Sequence, residues 1–317
     1  MDIPVNALQA IINLLADLTE AYTVALFLQE PSGKLKVAVS MTFSDAFLDN
    51  QTVNEGEGLV GYVAKHGMVV DVDRYKRDIT DTGLYKKDVG IKAFLALPVS
   101  DFGVLVVDTN KRQVFGEKEK KIARQFADLC AHVVIQQETA KREAMYGRIL
   151  DLNYEIENAG LGYSDPRMYY AQILNVGMSF CDLKMAFLCR LLPGQKKYTV
   201  EAVEGGGAIT LRGRSFPLSQ GLVGWVFREI KPLNHSSITP LPGKSFLISP
   251  DEPMRGYNTF IGVPLLAWRR LIGVWAFAGN STRIIHEEEE RALQLAGHRV
   301  AATMLHYHLE SQNHGHL

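Results

Sequence analysis

Apolar residues at Leu8, Ile11, Ile12, Leu15 and Leu18 recur at three- and four-residue spacing, which predicts an amphipathic helix near the start of the chain. Two apolar runs, "TVALFLQE" and "LKVAVSM", flank the turn tetrapeptide "PSGK" and predict a β-hairpin. "GEGLVGYVAKHG" reads as a short helix closed by Gly67, because glycine enters the left-handed cap conformation without steric cost. "MVVDV" predicts a strand, and a polar stretch of about twenty residues follows it, from Asp73 to Lys92. "AFLALPVS" and "GVLVVDT" are apolar strands around a tight Asp101-Phe102 turn, and "FGEKEKKIARQFADLCAHVV" begins a long helix.

The series then recurs. "GLVGYV" at Gly58 returns as "GLVGWV" at Gly221, and "GIKAFLALPV" at Gly90 aligns with "GYNTFIGVPL" at Gly256. "GVLVVD" at Gly103 aligns with "GVWAFA" at Gly273, and "VFGEKE" at Val114 with "IIHEEE" at Ile284. The order is kept and the offsets grow only slightly downstream, as loop insertions would cause, so the pattern predicts a tandem duplication. The second copy should hold a helix at Pro166 to Phe180 and strands at Met185 to Leu191 and Tyr198 to Glu204. The "GLVGWV" helix, the strands "FIGVPLLA" and "LIGVWAFA" and a helix from Glu287 complete it. The expected class is α+β: two domains, each a mainly antiparallel sheet with helices packed mainly on one face.

From Glu117 to about Asn158 there is no proline, and glycine occurs only at Gly147. Ile122, Phe126, Leu129, Val133, Ala140, Ala144, Gly147, Leu150 and Tyr154 form a narrow stripe, as in a coiled-coil seam. Beyond Val134 the expectation is a parallel homodimer seam, the alternative being a monomeric helix lying on its own domain. "NAGLGYSDP" breaks the helix, and Asp165 before Pro166 signals the next start. The expected segmentation is 1–135 for the first domain, 136–164 for a linker helix and loop, 165–310 for the second domain and 311–317 for a tail.

Composition changes this picture little. The 317 residues suit two domains, and 47% hydrophobic with 22% charged residues is ordinary for a globular chain. A formal net charge of −1 gives no basic footprint for nucleic acid. The start lacks a positive n-region and carries Asp17 and Glu20, and no apolar run reaches the length of a bilayer span. Cys130, Cys181 and Cys189 form no CxxC pair. The expectation is a cytoplasmic protein with reduced thiols and neither nucleic acid nor membrane as partner.

The succession "EGLVGYVAKHG", "VVDVDRYKRD", "GIKAFLALPV", "GVLVVDTNK", "FGEKE" resembles a GAF domain, and residues 166–309 resemble a second one. The resemblance implies a cytoplasmic regulatory module that binds a small molecule between the sheet and its covering loops, or binds protein partners, usually as a dimer. Cyclic-nucleotide-binding members carry Asn-Lys, then Phe, then an Asp-Glu pair. Asn110, Lys111, Phe115 and Glu119 fit that pattern, but Lys120 stands at its last acidic place. Asn280, Ser281, Ile285, Glu289 and Glu290 fit it less well in the second copy. Lys111 is expected to pair with Glu119 as a local clamp.

The long polar loops are the candidate binding elements. The first offers Asp71, Asp73, Arg74, Tyr75, Lys76 and Tyr85; the second offers His235, Ser236, Ser237, Arg255 and Tyr257. Phe43, Phe47 and Phe94, and in the second copy Trp225, Phe260 and Trp275, are either pocket walls or ordinary core. Gly58 and Gly61 serve either packing, with Gly61 easing helix against sheet, or an anion at the helix start. The scattered cysteines argue against a methionine-sulfoxide reductase of the GAF type. The expected function is therefore non-enzymatic: a sensor for a cyclic nucleotide or other small-molecule effector, signalling to an unidentified output protein through a helix-mediated homodimer. The alternative is an interaction scaffold whose pockets are filled by side chains.

Overall fold

The computed structural model describes residues 5–75, 83–235, 246–252 and 256–314. The chain divides into two compact units, residues 1–143 and 144–317, and the division falls within one helix.

In the first unit α1 (Val5–Thr19) leads into the hairpin β1 (Thr23–Gln29) and β2 (Leu35–Thr42), followed by β3 (Thr52–Val53), α2 (Gly58–His66), β4 (Val70–Val72), β5 (Ala93–Val99) and β6 (Gly103–Thr109). Helix α3 (Glu117–Gly162) begins here and continues into the second unit. The strands form one antiparallel sheet in the order β3-β2-β1-β6-β5-β4. Side chains alternate across it. Leu26, Leu95, Leu105 and Val107 meet Leu8, Ile12 and Leu15 of α1 and Ala123, Ala127 and Cys130 of α3 on the helix side. Ala25, Phe27, Phe94, Val104 and Val106 lie on the other side, covered by Val60 and Val63 of α2 and by Phe47, Leu84 and Tyr85 from the loops.

The short helix α2 ends as its sequence demands: Gly67 sits at φ 63° and returns its N–H to the Val63 carbonyl. Gly61 serves a different approach from the one expected. A Cβ there would lie 2.3 Å from the Asn54 carbonyl oxygen, so α2 is pressed against the backbone of the preceding loop rather than the sheet. The Gly56 N–H donates to the Gly61 carbonyl across that contact at 2.8 Å.

The second unit contains the remainder of α3, then α4 (Pro166–Cys181), β7 (Met185–Leu191), β8 (Lys197–Gly205), a 3-10 turn at Ala208–Leu211, β9 (Ser215–Pro217), α5 (Gly221–Glu229), β10 (Leu233–His235), β11 (Thr259–Ala267), β12 (Arg270–Gly279) and α6 (Glu287–His314). The Asp165 side chain caps α4 by accepting from the Arg167 N–H. The sheet order β10-β11-β12-β7-β8-β9 is that of the first sheet with each strand replaced by its counterpart. Both sheets also carry a bulge at the same place, between Leu26 and Phe27 on β1 and between Leu188 and Cys189 on β7. Leu152, Ile156 and Ala159 of α3 join α4 and α6 in the helix-side core, together with Leu188, Trp275 and Phe277.

Trp275 is therefore no pocket wall. It is fully buried on the helix side, edge-on to Phe277 at 4.9 Å between ring centroids. Gly177 of α4 makes room for it, since a Cβ there would come within 2.6 Å of the indole. The opposite, loop-covered face is built from Phe187, Val200, Phe260, Val274 and Ala276 under Val223, Val226 and Phe227 of α5.

Candidate functional site

On β6 the alternation that turns Val104 and Val106 toward the loop-covered face turns Asp108 there too. Asp108 has no exposed surface. Its Oδ2 accepts from the Tyr85 hydroxyl at 2.6 Å, and its Oδ1 accepts from the Thr23 N–H at 3.0 Å. The Tyr85 oxygen is also 2.5 Å from Thr23 Oγ1, which is 2.7 Å from Thr42 Oγ1. The Ser44 N–H donates to Thr42 Oγ1 at 3.1 Å.

Each hydroxyl has one proton, so proton counting fixes the direction of this chain. With Asp108 ionised, Thr42 donates to Thr23, Thr23 to Tyr85 and Tyr85 to the carboxylate, and every contact is satisfied. With Asp108 protonated and donating to Tyr85, the same chain runs the other way. Burial raises the Asp108 carboxyl to about 7 against the pull of the Tyr85 and Thr23 hydrogen bonds. Burial and the neighbouring carboxylate raise the Tyr85 hydroxyl, so it stays protonated. The four side chains can thus reverse their polarity near neutral pH.

The sequence candidates divide around this chain. Tyr85 is a member, edge-on to Phe47 at 5.9 Å, and Phe94 lies beside Asp108 in the strand register with Tyr75 ranged against it at 6.3 Å. Phe43 is not a wall: it is 68% exposed, beyond Tyr22 on the outside of the sheet end. Asp71 is held by Lys120 of α3 at 2.6 Å, and Asp73 is exposed. The cation facing Glu119 is Arg112, at 2.9 Å, in place of Lys111; Arg112 also donates to the Thr19 carbonyl and so ties the end of α1 to the start of α3. Lys76 lies outside the described residues.

The second unit has the same sheet positions with other side chains. Across the first sheet one row reads Val72, Phe94, Asp108, Thr23, Thr42; across the second it reads His235, Phe260, Ala278, Met185, Gly205. Tyr257 lies over the second row, and its hydroxyl donates to the Met185 sulfur at 3.9 Å. The polar residue has moved to the sheet edge, where the buried His235 Nε2 has no hydrogen-bond partner among the described residues. Trp225 is half-buried against the core of this face. The start of α5 is closed to anions, because the Leu222 and Val223 N–H groups donate to the Phe246 and Leu247 carbonyls. The buried Glu252 carboxylate holds that loop by accepting from the N–H groups of Leu247, Ile248 and Ser249. Ser236, Ser237 and Arg255 lie outside the described residues.

Thr23, Thr42, Asp108 and Glu252 escaped the sequence reading. For Asp108 a signal existed: it shares the parity of Val104 and Val106 in a strand that is buried on both faces. Among the described residues no group of His, Cys, Asp and Glu is arranged to hold a metal ion, and no helix is long and apolar enough to cross a membrane. All three cysteines are buried, and burial pushes the Cys130 thiol up to about 12 and raises those of Cys181 and Cys189 as well.

Among curated proteins none matches the sequence. The solved structures similar to it include the GAF domain of a phosphoenolpyruvate-protein phosphotransferase from Coxiella burnetii, 16% identical, covering 52% of this chain and 97% of that one with a TM-score of 0.46. A free methionine-R-sulfoxide reductase from Neisseria meningitidis, solved with its substrate, is 14% identical, covers 51% and 91%, and has a TM-score of 0.43. A bacteriophytochrome from the photosynthetic bacterium R. palustris is 11% identical and covers 96% of this chain and 73% of its own with a TM-score of 0.53, a likeness of fold. The family model described as GAF domain matches residues 4–134, so the first unit carries a GAF domain.

Proposed function

We propose that the chain is a non-enzymatic regulatory protein in which the first unit senses a small molecule and the second is a GAF-like duplicate specialised for interaction. The observation that carries this reading is the Thr42–Thr23–Tyr85–Asp108 chain on the covered face of a GAF domain. A buried carboxylate costs stability, and a purely structural sheet gains more from an apolar residue at that place, as Ala278 occupies in the second unit. An effector with a hydrogen-bond donor or a positive charge would favour ionised Asp108, and one with an acceptor would favour the protonated acid. This polar pattern suits a neutral or cationic polar effector better than a cyclic phosphate, and Lys120, committed to Asp71, replaces the acidic residue of the cyclic-nucleotide pattern.

The interaction reading of the second unit rests on its packed face, where Met185, Phe187, Tyr198, Phe216, Phe227 and Phe260 fill the space between sheet and α5. The output is carried by α3, whose Tyr146, Leu150, Tyr154 and Leu161 stay largely exposed on the side opposite Leu152, Ile156 and Ala159, a face fitted to a second copy. The buried thiols support the non-redox reading. Native mass spectrometry of the purified full chain tests both parts. A retained small molecule that disappears in Asp108→Asn, on a dimeric species, is the expected result. A monomer, or a ligand that is indifferent to Asp108 and retained by the second unit, overturns it.

A further inference from the structure

The hairpin joining β11 to β12 turns on Trp268 and Arg269, with φ of 46° and 64°. Two consecutive left-handed residues make the tight turn that asparagine and glycine ordinarily supply, and neither tryptophan nor arginine is favoured there. Strain of this kind at a tip marks side chains kept for something other than folding. Trp268 is 82% exposed, the most exposed large apolar side chain among the described residues. Arg269 and Arg270 beside it are exposed as well.

A second turn shares this end of the sheet. Strand β12 pairs with β7, with Gly273 opposite Arg190, so the β7–β8 turn emerges next to the β11–β12 turn. It contributes exposed Lys196 and Lys197. Neither turn, from 192 to 198 or from 267 to 271, contains a carboxylate. The nearby Arg190 is already paired with Glu201 at 2.6 Å. The corresponding end of the first sheet also has a left-handed residue, Ser100 at φ 49°, but differs in its charges and in its aromatic side chain. There Glu30 and Asp101 offset Lys34 and Lys36, Glu30 lies 3.9 Å from Lys36, and Phe102 folds back onto the helix-side core.

We propose that the Trp268–Arg270 turn, with Lys196 and Lys197, is a docking tip for an anionic lipid surface. Tryptophan has an apolar body and a polar N–H, the combination that settles at the level of lipid headgroups. The four uncompensated cations supply attraction to acidic headgroups. Shape decides among anionic partners. A single aromatic on a projecting turn can enter a flat, fluid interface, whereas single-stranded nucleic acid is held by grooves with several stacking rings. An acidic peptide likewise needs a groove or a sheet edge to lie along.

Flotation of the full chain with phosphatidylserine–phosphatidylcholine vesicles tests the proposal. Binding should appear with these vesicles, be released by added salt and be absent with phosphatidylcholine alone. Each removed cation should weaken binding about fivefold, so Arg269→Gln/Arg270→Gln should lose roughly 25-fold. Trp268→Gly should also lose binding while melting at the same or a higher temperature, since glycine relieves the turn. That variant separates the surface role from folding. Absence of binding to acidic vesicles, equal binding to phosphatidylcholine, or variants that bind like the parent overturn the proposal. So does retention on a single-stranded oligonucleotide or polyglutamate, abolished by the same variants, without vesicle binding.

Discussion

The loop-covered faces of the two sheets place a tyrosine over the same row and give it opposite company. Tyr85 donates into a chain ending on a buried carboxylate, whereas Tyr257 meets a thioether beside an alanine. The strand order and the bulges of the two sheets correspond, so the scaffold does not dictate the difference. Two substitutions in register, Asp108 for Ala278 and Thr23 for Met185, account for it. A position that one sheet fills with an apolar residue is spent in the other on an ionisable group with a pKa near neutrality. The contrast locates specialisation in side chains on a shared frame.

The comparison breaks most severely if the second row is made to imitate the first. Ala278→Asp places a carboxylate among Phe260, Met185 and Tyr257 and should cost the second unit about 4 kcal/mol. Adding Met185→Thr should return part of that by restoring a hydroxyl partner. All three tryptophans, Trp225, Trp268 and Trp275, lie in the second unit, so tryptophan emission during urea unfolding follows it alone.

The next effect is a pH dependence confined to the first unit. Asp108 rises from 3.8 to about 7 on folding, so between those values the native state keeps a proton that the unfolded chain releases. Stability is then full below about pH 4 and falls as pH rises through the folded value, by roughly 4 kcal/mol in all at about 1.4 kcal/mol per unit. Asp108→Asn should abolish that fall, so its advantage over the parent grows from pH 4 to pH 8, read by amide exchange in β6. A difference that is flat with pH would show that the carboxyl titrates normally.

Smaller still is the paired test on the tyrosines. Tyr85→Phe removes the donor to Asp108 and should cost about 2 kcal/mol at pH 8. Tyr257→Phe loses a weak contact to sulfur and should cost less than about 0.5 kcal/mol. Equal costs would erase the distinction between the two faces.

Much of the frame was legible because its signals are local. Gly67 closes α2, Asp165 caps α4, and the limits of β7 at Met185 and Leu191 follow an apolar run bounded by polar residues. The short strands β3, β9 and β10, two or three residues each, have no periodicity to read. Sidedness failed for Trp275 because β12 is buried on both faces, so hydrophobicity alone gives no side. The polar chain was half legible. Tyr85 stood out in a loop, but Thr23 and Thr42 look like ordinary strand residues until pairing sets them opposite one another. Phe43 and Asp71 failed for a related reason: exposure and ion pairing depend on what other segments bring near.

The buried polar row has a consequence for assembly of the chain itself. Two sheets of the same order, made in succession from one polypeptide, invite exchange of strands between them. If β6 settled against β7 in the register that β12 uses, Asp108 would face Met185 in place of Thr23 and lose its link to the threonine hydroxyls. A carboxylate buried without those partners would then count against the exchanged arrangement and for the native one.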